Sequence, residues 1–247
     1  MPHITDIRLP VVQLVRVCVE HHAAAAGRPA LVEASVGFPE RSLTAVVGPP
    51  GAGKTALLRC AAGRERPSRG RVFKGSRELA ALDERELTQL RRLYVPRRPA
   101  LPPAHTVYEH VTQAASVTGR VPSEAAVMEA LRLVGLEEQA ASRLTDLSAE
   151  QHKRVAIAAA LPVGPRVMFV DEPSDGLDDA GVQRVMDAMR ALVERAGYSV
   201  VIATRAPAVA AWADRAVLIG GGRVVGKIDW PTSDEIAAEL ADQPDVC

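Results

Sequence analysis

The sequence has few aromatic residues, few cysteines and no net charge, and the last two features each argue against a class of protein. Phe, Tyr and Trp together make up 3% of the 247 residues, and 30 acidic side chains balance 30 Lys and Arg. A balanced charge argues against a chain whose main task is to bind nucleic acid through a basic surface. Because its 3 cysteines form no C-x-x-C pair, we expect neither a disulfide framework nor a cysteine zinc site.

Long apolar runs are also missing. The longest run spans 155–165 and ends at Arg166, short of the ~18 apolar residues that a membrane span needs. Asp6 and Arg8 stand where a secretory leader would be apolar, so we expect a cytoplasmic chain that does not cross a membrane unaided. The composition that remains, 47% hydrophobic and 24% charged, is typical of a globular protein with a sizeable core.

Short apolar runs alternate with segments of helical periodicity. Runs rich in β-branched residues predict strands at 11–19, 43–47, 71–73, 93–95, 167–170, 199–203 and 216–219. Apolar residues at helical spacing predict helices at 55–62, 106–117, 123–134, 149–161, 179–195 and 233–240. The sequence GGGRVVGKI predicts a hairpin near the end. This alternation predicts an α/β sheet with a helical insertion at about 97–165.

A phosphate-binding motif follows the strand at 43–47. The sequence GPPGAGKT fits G-x-x-x-x-G-K-[ST] between a buried strand and a helix, and a chance glycine-rich turn does not account for both neighbours. Backbone N–H groups can surround phosphate oxygens there, and the helix N-terminus adds partial positive charge. Lys54 is predicted to reach the β- and γ-phosphates, and Thr55 to hold Mg²⁺. The predicted nucleotide-binding residues are Gly48, Pro49, Pro50, Gly51, Ala52, Gly53, Lys54 and Thr55.

Two carboxylates end the second wholly apolar strand, in VMFVDEP. Asp171 is predicted to bind Mg²⁺, directly or through water, and Glu172 to polarise the water that attacks the γ-phosphate. The alternative is a surface acidic pair, but few surface pairs follow a wholly apolar strand. The two motifs together predict a nucleoside triphosphate, Mg²⁺ and hydrolysis.

From about residue 11 to 228 the chain resembles the ATP-binding domain of the ABC family. LSAEQHKRVAIAAAL is similar to the family's signature segment, usually written LSGGQ, and SDGLD matches the loop after the second carboxylate. VVIATRAPAVAAWADRAVLIGGGRVV resembles the switch strand, helix and closing hairpin. The resemblance implies a P-loop α/β fold with an N-terminal antiparallel β part and a helical subdomain, as a single domain over 1–247.

The resemblance also implies an activity and partners. In the family two chains enclose two ATPs, so Ser148 is expected to bind the γ-phosphate of the opposite nucleotide. Membrane subunits dock on the helical subdomain, which implies an ATPase subunit of a bacterial ABC transporter at the inner face of the plasma membrane. Homodimer or heterodimer, transported substrate and direction stay open. The alternatives are a catalytically weak regulatory module, or degenerate partner, and a soluble ABC ATPase acting on nucleic acid, which the neutral charge disfavours.

Arginines replace two functional residues of the family. Arg97 stands where a glutamine carbonyl helps to bind Mg²⁺ and the attacking water, and a guanidinium has no acceptor atom. Arg205 replaces the switch histidine; it can hold the γ-phosphate by charge, but it lacks an imidazole's acceptor side. With Glu172 as general base and Arg205 at the γ-phosphate, we expect hydrolysis that is slow or depends on a competent partner.

Two further departures concern the signature and the base. Ala149 and Glu150 replace its glycines, and Glu150 is expected either to bring negative charge near the partner's phosphate or to turn into solvent. His21 or His22 stands where the family has an adenine-stacking aromatic, and an imidazole can still stack.

Overall fold

The computed structural model describes residues 10–20, 29–116, 121–163 and 166–241. The strands in these ranges are β1 Pro10–Val19, β2 Leu31–Pro39, β3 Leu43–Val47, β4 Arg69–Lys74, β5 Arg77–Glu78, β6 Tyr94–Val95, β7 Val167–Asp171, β8 Ser199–Thr204, β9 Arg215–Gly220 and β10 Arg223–Asp229. The helices are α1 Lys54–Ala61, α2 Glu84–Arg92, α3 Val107–Ser116, α4 Glu124–Leu133, α5 Ala149–Ala160, α6 Asp179–Ala196, α7 Pro207–Ala210 and α8 Ser233–Ala241.

A sheet with the strand order β10-β9-β3-β8-β7-β6 forms the centre of the molecule. Its pairings are parallel except at the β9–β10 hairpin, which closes one edge. Every residue of β3, β7 and β8 is buried, as continuous apolar runs in a parallel sheet require. Because parallel strands end at the same edge, the loops after β3, β7 and β8 meet there, where α/β proteins usually bind ligands.

The second sheet is antiparallel, with the order β2-β1-β4-β5. Phe38 on β2 meets Phe169 on β7 edge to face, with ring centroids 6.4 Å apart, and the buried apolar residues of both sheets belong to one core. Strand β2 is absent from the sequence-based predictions. Its pairing with β1 is irregular around Glu33, which has φ +49°, and such a bulge interrupts the alternation by which a strand is recognised.

The segment between β6 and β7 contains helices α3, α4 and α5. The predicted ends of the helices and strands agree with the observed ones to within two residues; residue 117 lies outside the described residues. Helix α2 is missing from the predictions because its apolar side is short, consisting of buried Leu90 and partly buried Leu87. Its capping box, formed by Asp83 and Glu86, was the available sequence pattern. Within the described residues, no helix combines the length and the apolar character needed to span a membrane.

Candidate nucleotide-binding and hydrolysis site

The phosphate loop, Gly48–Gly53, joins β3 to α1 at the edge where the parallel strands end. A Cβ atom at Gly48 would lie 2.1 Å from the Ile219 carbonyl oxygen, and one at Gly53 would lie 2.3 Å from that of Ala30. Gly53 also has φ +103°, a conformation that favours glycine. Gly48 and Gly53 are therefore required because the loop passes so close to neighbouring backbone. This path places the backbone N–H groups of the loop at the start of α1.

Lys54 is buried and folds back on the phosphate loop. Its Nζ donates hydrogen bonds to the carbonyl oxygens of Gly48 at 2.7 Å and Pro49 at 2.9 Å. The same atom lies 4.0 Å from Oε1 of Glu172. Burial lowers the pKa of Lys54, while the charges of Glu172 and Asp171 oppose that shift. A cation held among carbonyl oxygens at the mouth of the loop is suited to bind phosphate.

Thr55 and Asp171 are in contact although they are distant in sequence. The Thr55 hydroxyl donates to Asp171, with Oγ1–Oδ2 2.9 Å and Oγ1–Oδ1 3.2 Å. The Tyr94 hydroxyl donates to the same Oδ2 at 2.9 Å. Burial, followed by the charge and hydrogen bond of Asp171, raises the pKa of Tyr94 to about 12. Sequence reasoning did not identify Tyr94, whose role depends on the pairing of β6 with β7.

The residues present fit a magnesium ion. Asp171 is buried and offers carboxylate oxygens beside the Thr55 hydroxyl, and Mg²⁺ prefers oxygen ligands and is usually bound by one or two carboxylates together with substrate phosphates. Within the described residues, no group of three or more His, Cys, Asp and Glu side chains could hold a metal by itself. A magnesium ion here would therefore take some of its ligands from this site and others from the phosphates of a nucleotide.

Glu172 lies between the phosphate loop and the loop after β8. Its backbone has φ +46°, an uncommon conformation outside glycine that often marks functional sites. The Glu172 N–H donates to the Ala203 carbonyl at 2.8 Å, and the Arg205 N–H donates to Glu172 Oε2 at 3.4 Å. These contacts hold the carboxylate between the Lys54 ammonium and the Arg205 backbone.

Arg97 and Arg205 converge on Asp175, which sequence reasoning passed over. The guanidinium of Arg97 donates two hydrogen bonds to the Asp175 carboxylate, from Nε to Oδ2 at 2.7 Å and from Nη2 to Oδ1 at 2.5 Å. The NH2 atom of Arg205 lies 3.8 Å from the same Oδ1. The hydrogen bond from Arg97 holds the pKa of Asp175 below its usual range, against its partial burial. The sequence contained an indication, because Asp175 lies within the matched SDGLD segment.

Ser148 begins helix α5. Its hydroxyl accepts the Gln151 N–H at 3.3 Å, and the Gln151 side chain accepts the Ser148 N–H at 2.8 Å, which forms a capping box. In the described part of this single chain, the Ser148 side chain is thus bonded to its own helix rather than to Lys54, Thr55, Asp171 or Glu172. A phosphate ligand at this position would meet a helix N-terminus.

The expectation that Glu150 turns into solvent is wrong. Glu150 is 8% exposed. Its carboxylate binds Arg154 at 2.7 and 3.1 Å and Arg184 at 3.1 Å. The negative charge is therefore neutralised inside the protein, because an arginine one helical turn away and another from α6 can both reach it.

The structure brings together Lys54, Thr55, Asp171, Glu172 and Arg205, the residues predicted to act on the phosphates and the metal. His21, predicted to contact the adenine, and its neighbour His22 lie outside the described residues.

Comparison with known proteins assigns the family. A family model described as ABC transporter matches residues 31–175. The lipoprotein-releasing system ATP-binding protein LolD of Paramagnetospirillum magneticum is 40% identical over 189 residues, which are 74% of this chain and 83% of that protein. The Fe(3+) ions import ATP-binding protein FbpC of Pseudomonas fluorescens is 36% identical over 212 residues, 83% of this chain. The chain spans 58% of that second protein's length.

Solved structures agree in fold. A bacterial ABC transporter cassette solved as a dimer superposes with a TM-score of 0.78 at 26% identity, covering 89% of this chain and 99% of that one. A dimeric cassette in a post-hydrolysis state, bound to ADP and Pi, superposes with a TM-score of 0.77 at 27% identity, with the same coverage. The chain belongs to the ABC transporter family, as one of its ATP-binding cassettes.

Proposed function

We propose that this chain is the ATPase subunit of a bacterial ABC transporter. It binds Mg-ATP at the phosphate loop, pairs with a second ABC ATPase and acts on a separate membrane subunit at the inner face of the plasma membrane. In this proposal residues 1–247 form one ABC domain, with residues 97–165 as its helical subdomain.

One observation carries the proposal. The Lys54 ammonium, the Thr55 hydroxyl and the carboxylates of Asp171 and Glu172 lie around one loop, joined by hydrogen bonds and by the 4.0 Å contact between Lys54 and Glu172. These residues supply a phosphate-binding cation, metal ligands and a base, which are the groups that phosphoryl transfer to water requires. No single motif in the sequence brings them together.

Each group has a defined task in hydrolysis. Lys54 exchanges its bonds to the loop carbonyls for bonds to the β- and γ-phosphates, where its positive charge offsets negative charge. Glu172 accepts the proton of the attacking water. Thr55 and Asp171 would hold Mg²⁺, which would supply further neutralisation of phosphate charge. Arg205 replaces the switch histidine as a charge directed at the γ-phosphate.

Hydrolysis is slow or needs a competent partner in this proposal. Arg97 has no acceptor atom with which to orient water, and its guanidinium is bound to Asp175 instead. Arg205 supplies charge but no imidazole acceptor. Both residues belong to the chain's own nucleotide site, so a homodimer would carry the two replacements twice.

In this proposal the membrane subunit docks on a groove beside the helical segment. It has a volume of about 510 Å³ and lies between the segment after β6 and helix α5. Exposed Arg98, with Leu101, Pro103 and Thr145, contributes to its walls. LolD and FbpC are named for lipoprotein release and iron import, and because these tasks differ we propose no cargo or direction for this chain.

The decisive experiment is Mg-ATP turnover by the purified chain, with Glu172→Gln as the blank and ATP binding measured on the same samples. We expect both proteins to bind ATP and only the wild type to release phosphate, at a low rate. A wild-type rate equal to the blank, with binding intact, would instead indicate an ATP-holding partner of a competent ATPase. A wild type that does not bind ATP would overturn the proposal.

A further inference from the structure

Two arginines at positions that depart from the family share one carboxylate. Arg97 follows β6 and Arg205 follows β8, while Asp175 lies in the loop after β7. Arg97 binds Asp175 with two short hydrogen bonds, a strong and directional pairing. Arg205 lies 3.8 Å from the same carboxylate, too far for a hydrogen bond. Asp175 therefore fixes Arg97 and attracts Arg205 without fixing it.

Hydrogen bonds hold the Arg97 backbone close to the residues that would bind Mg²⁺. Lys153 on α5 donates to the Arg97 carbonyl at 2.5 Å and to the Glu172 carbonyl at 3.2 Å. Glu172 directly follows Asp171, so Arg97 is held close to the residues that would hold Mg²⁺. An unpaired guanidinium in this place would repel a divalent cation. The side chain of Asp175, which is 16% exposed, directs the guanidinium towards itself and neutralises it.

The Arg205 side chain is 57% exposed, whereas its backbone is bonded beside the phosphate loop. Its N–H donates to the Glu172 carboxylate, and Glu172 in turn lies beside Lys54. The Arg205 backbone is therefore anchored next to Glu172 and Lys54, the two residues that would meet the terminal phosphate.

We propose that Asp175 is a positioning residue that holds the Arg97 guanidinium away from the magnesium position and leaves Arg205 able to bind the terminal phosphate of ATP. Arg97, Asp175 and Arg205 then act together, and the two arginines are not independent losses of functional residues. The inference rests on the proposed function, because it requires Mg-ATP at this site.

The test measures ATP affinity by calorimetry with excess Mg²⁺ and with EDTA, and takes the ratio of the two dissociation constants as the gain from magnesium. In Asp175→Asn, a variant of nearly unchanged shape, Arg97 loses its partner. We expect the gain to fall about 10-fold, the size of one lost charge-assisted interaction. The double variant Arg97→Met/Asp175→Asn removes the competing cation without adding a magnesium ligand, and it should restore the gain to within about twofold of the wild type.

Asp179→Asn is the matched control, since it removes an exposed carboxylate at the start of α6 and should leave the gain unchanged. An Asp175→Asn variant that behaves like this control, while the wild type shows the gain, would overturn the inference and leave the proposed function intact. Loss of the gain without rescue by Arg97→Met would also overturn it, because Asp175 would then act only on folding. A wild type that does not bind ATP would overturn both proposals.

The part of the inference that concerns Arg205 has its own readout, the preference for ATP over ADP. Because ADP lacks the terminal phosphate, Arg205→Ala should reduce this preference about 10-fold. The preference should persist in Asp175→Asn, where Arg205 is still present. An unchanged preference in Arg205→Ala would contradict the assignment of Arg205.

Discussion

The Lys54 ammonium lies 4.0 Å from the Glu172 carboxylate, at the point where the phosphate loop and the end of β7 meet. Glu172 and the loop carbonyls therefore compensate the positive charge of a side chain that is suited to bind phosphate. The two residues have different roles in the proposed function: Lys54 is needed to bind ATP, and Glu172 is needed to hydrolyse it.

Glu172→Gln should abolish turnover without weakening ATP binding. The amide cannot accept a proton from water, and the loss of general-base catalysis costs about 10²- to 10⁴-fold in rate. Removal of the negative charge beside Lys54 leaves the ammonium more available to phosphate. Phosphate release and ATP affinity, measured on the same variant, check both parts. A variant that retains turnover would remove Glu172 from the base role.

Lys54→Ala should weaken ATP binding about 10- to 100-fold, because it removes a charge-assisted interaction with the phosphates. Lys227→Ala is the control, since Lys227 is an exposed lysine on β10. Calorimetric titration with ATP compares the two variants. Equal affinities would show that the nucleotide does not use the phosphate loop as proposed.

Replacement of both arginines should accelerate hydrolysis. The variant Arg97→Gln/Asp175→Asn/Arg205→His supplies an amide carbonyl and an imidazole for the attacking water, and it removes the carboxylate that would otherwise lose its partners. We expect kcat to rise about 10- to 100-fold, the size of a positioned polar group's contribution. A single-turnover measurement isolates the chemical step. A kcat at or below that of the wild type would mean that the arginines do not limit the reaction.

Glu150→Ala should destabilise the fold by about 3 kcal/mol, because it leaves buried Arg154 without its carboxylate partner. The carbonyl oxygens of Val134 and Gly135 would still accept from Arg154, which limits the loss. Glu129→Ala breaks the exposed pair with Arg132 and should cost less than about 0.5 kcal/mol. Urea unfolding compares the variants, and equal free energies of unfolding would contradict a structural role for Glu150.

In Tyr94→Phe, the free energy of unfolding should fall less steeply at high pH than in the wild type. The raised pKa of Tyr94, about 12, exceeds the ~10 of an unfolded tyrosine. The folded chain therefore keeps this proton longer, so the contribution is complete below about pH 10 and is lost as the pH rises through about 12. Urea unfolding at a series of pH values tests this difference. Parallel curves for wild type and variant would contradict the raised pKa of Tyr94.

Local patterns predicted most of the elements because their cause is local. Apolar runs such as Leu43–Val47 and the helical spacing in Ala149–Ala160 reflect burial that each segment dictates by itself. Strand β2 and helix α2 were missed because a bulge at Glu33 interrupts one periodicity and the short apolar side of α2 shows little of the other. For these two segments burial depends on the neighbouring elements, which a local pattern does not show.

The sequence by itself determined the family, the phosphate loop and the acidic pair at the end of β7, because each is a contiguous run of residues whose order carries the chemistry. Only the tertiary structure decided which charges neutralise one another. Glu150 is paired inside the protein with Arg154 and Arg184, and Arg97 is paired with Asp175. These contacts join loops and helices that are distant in sequence, and electrostatic energy depends on separation in space.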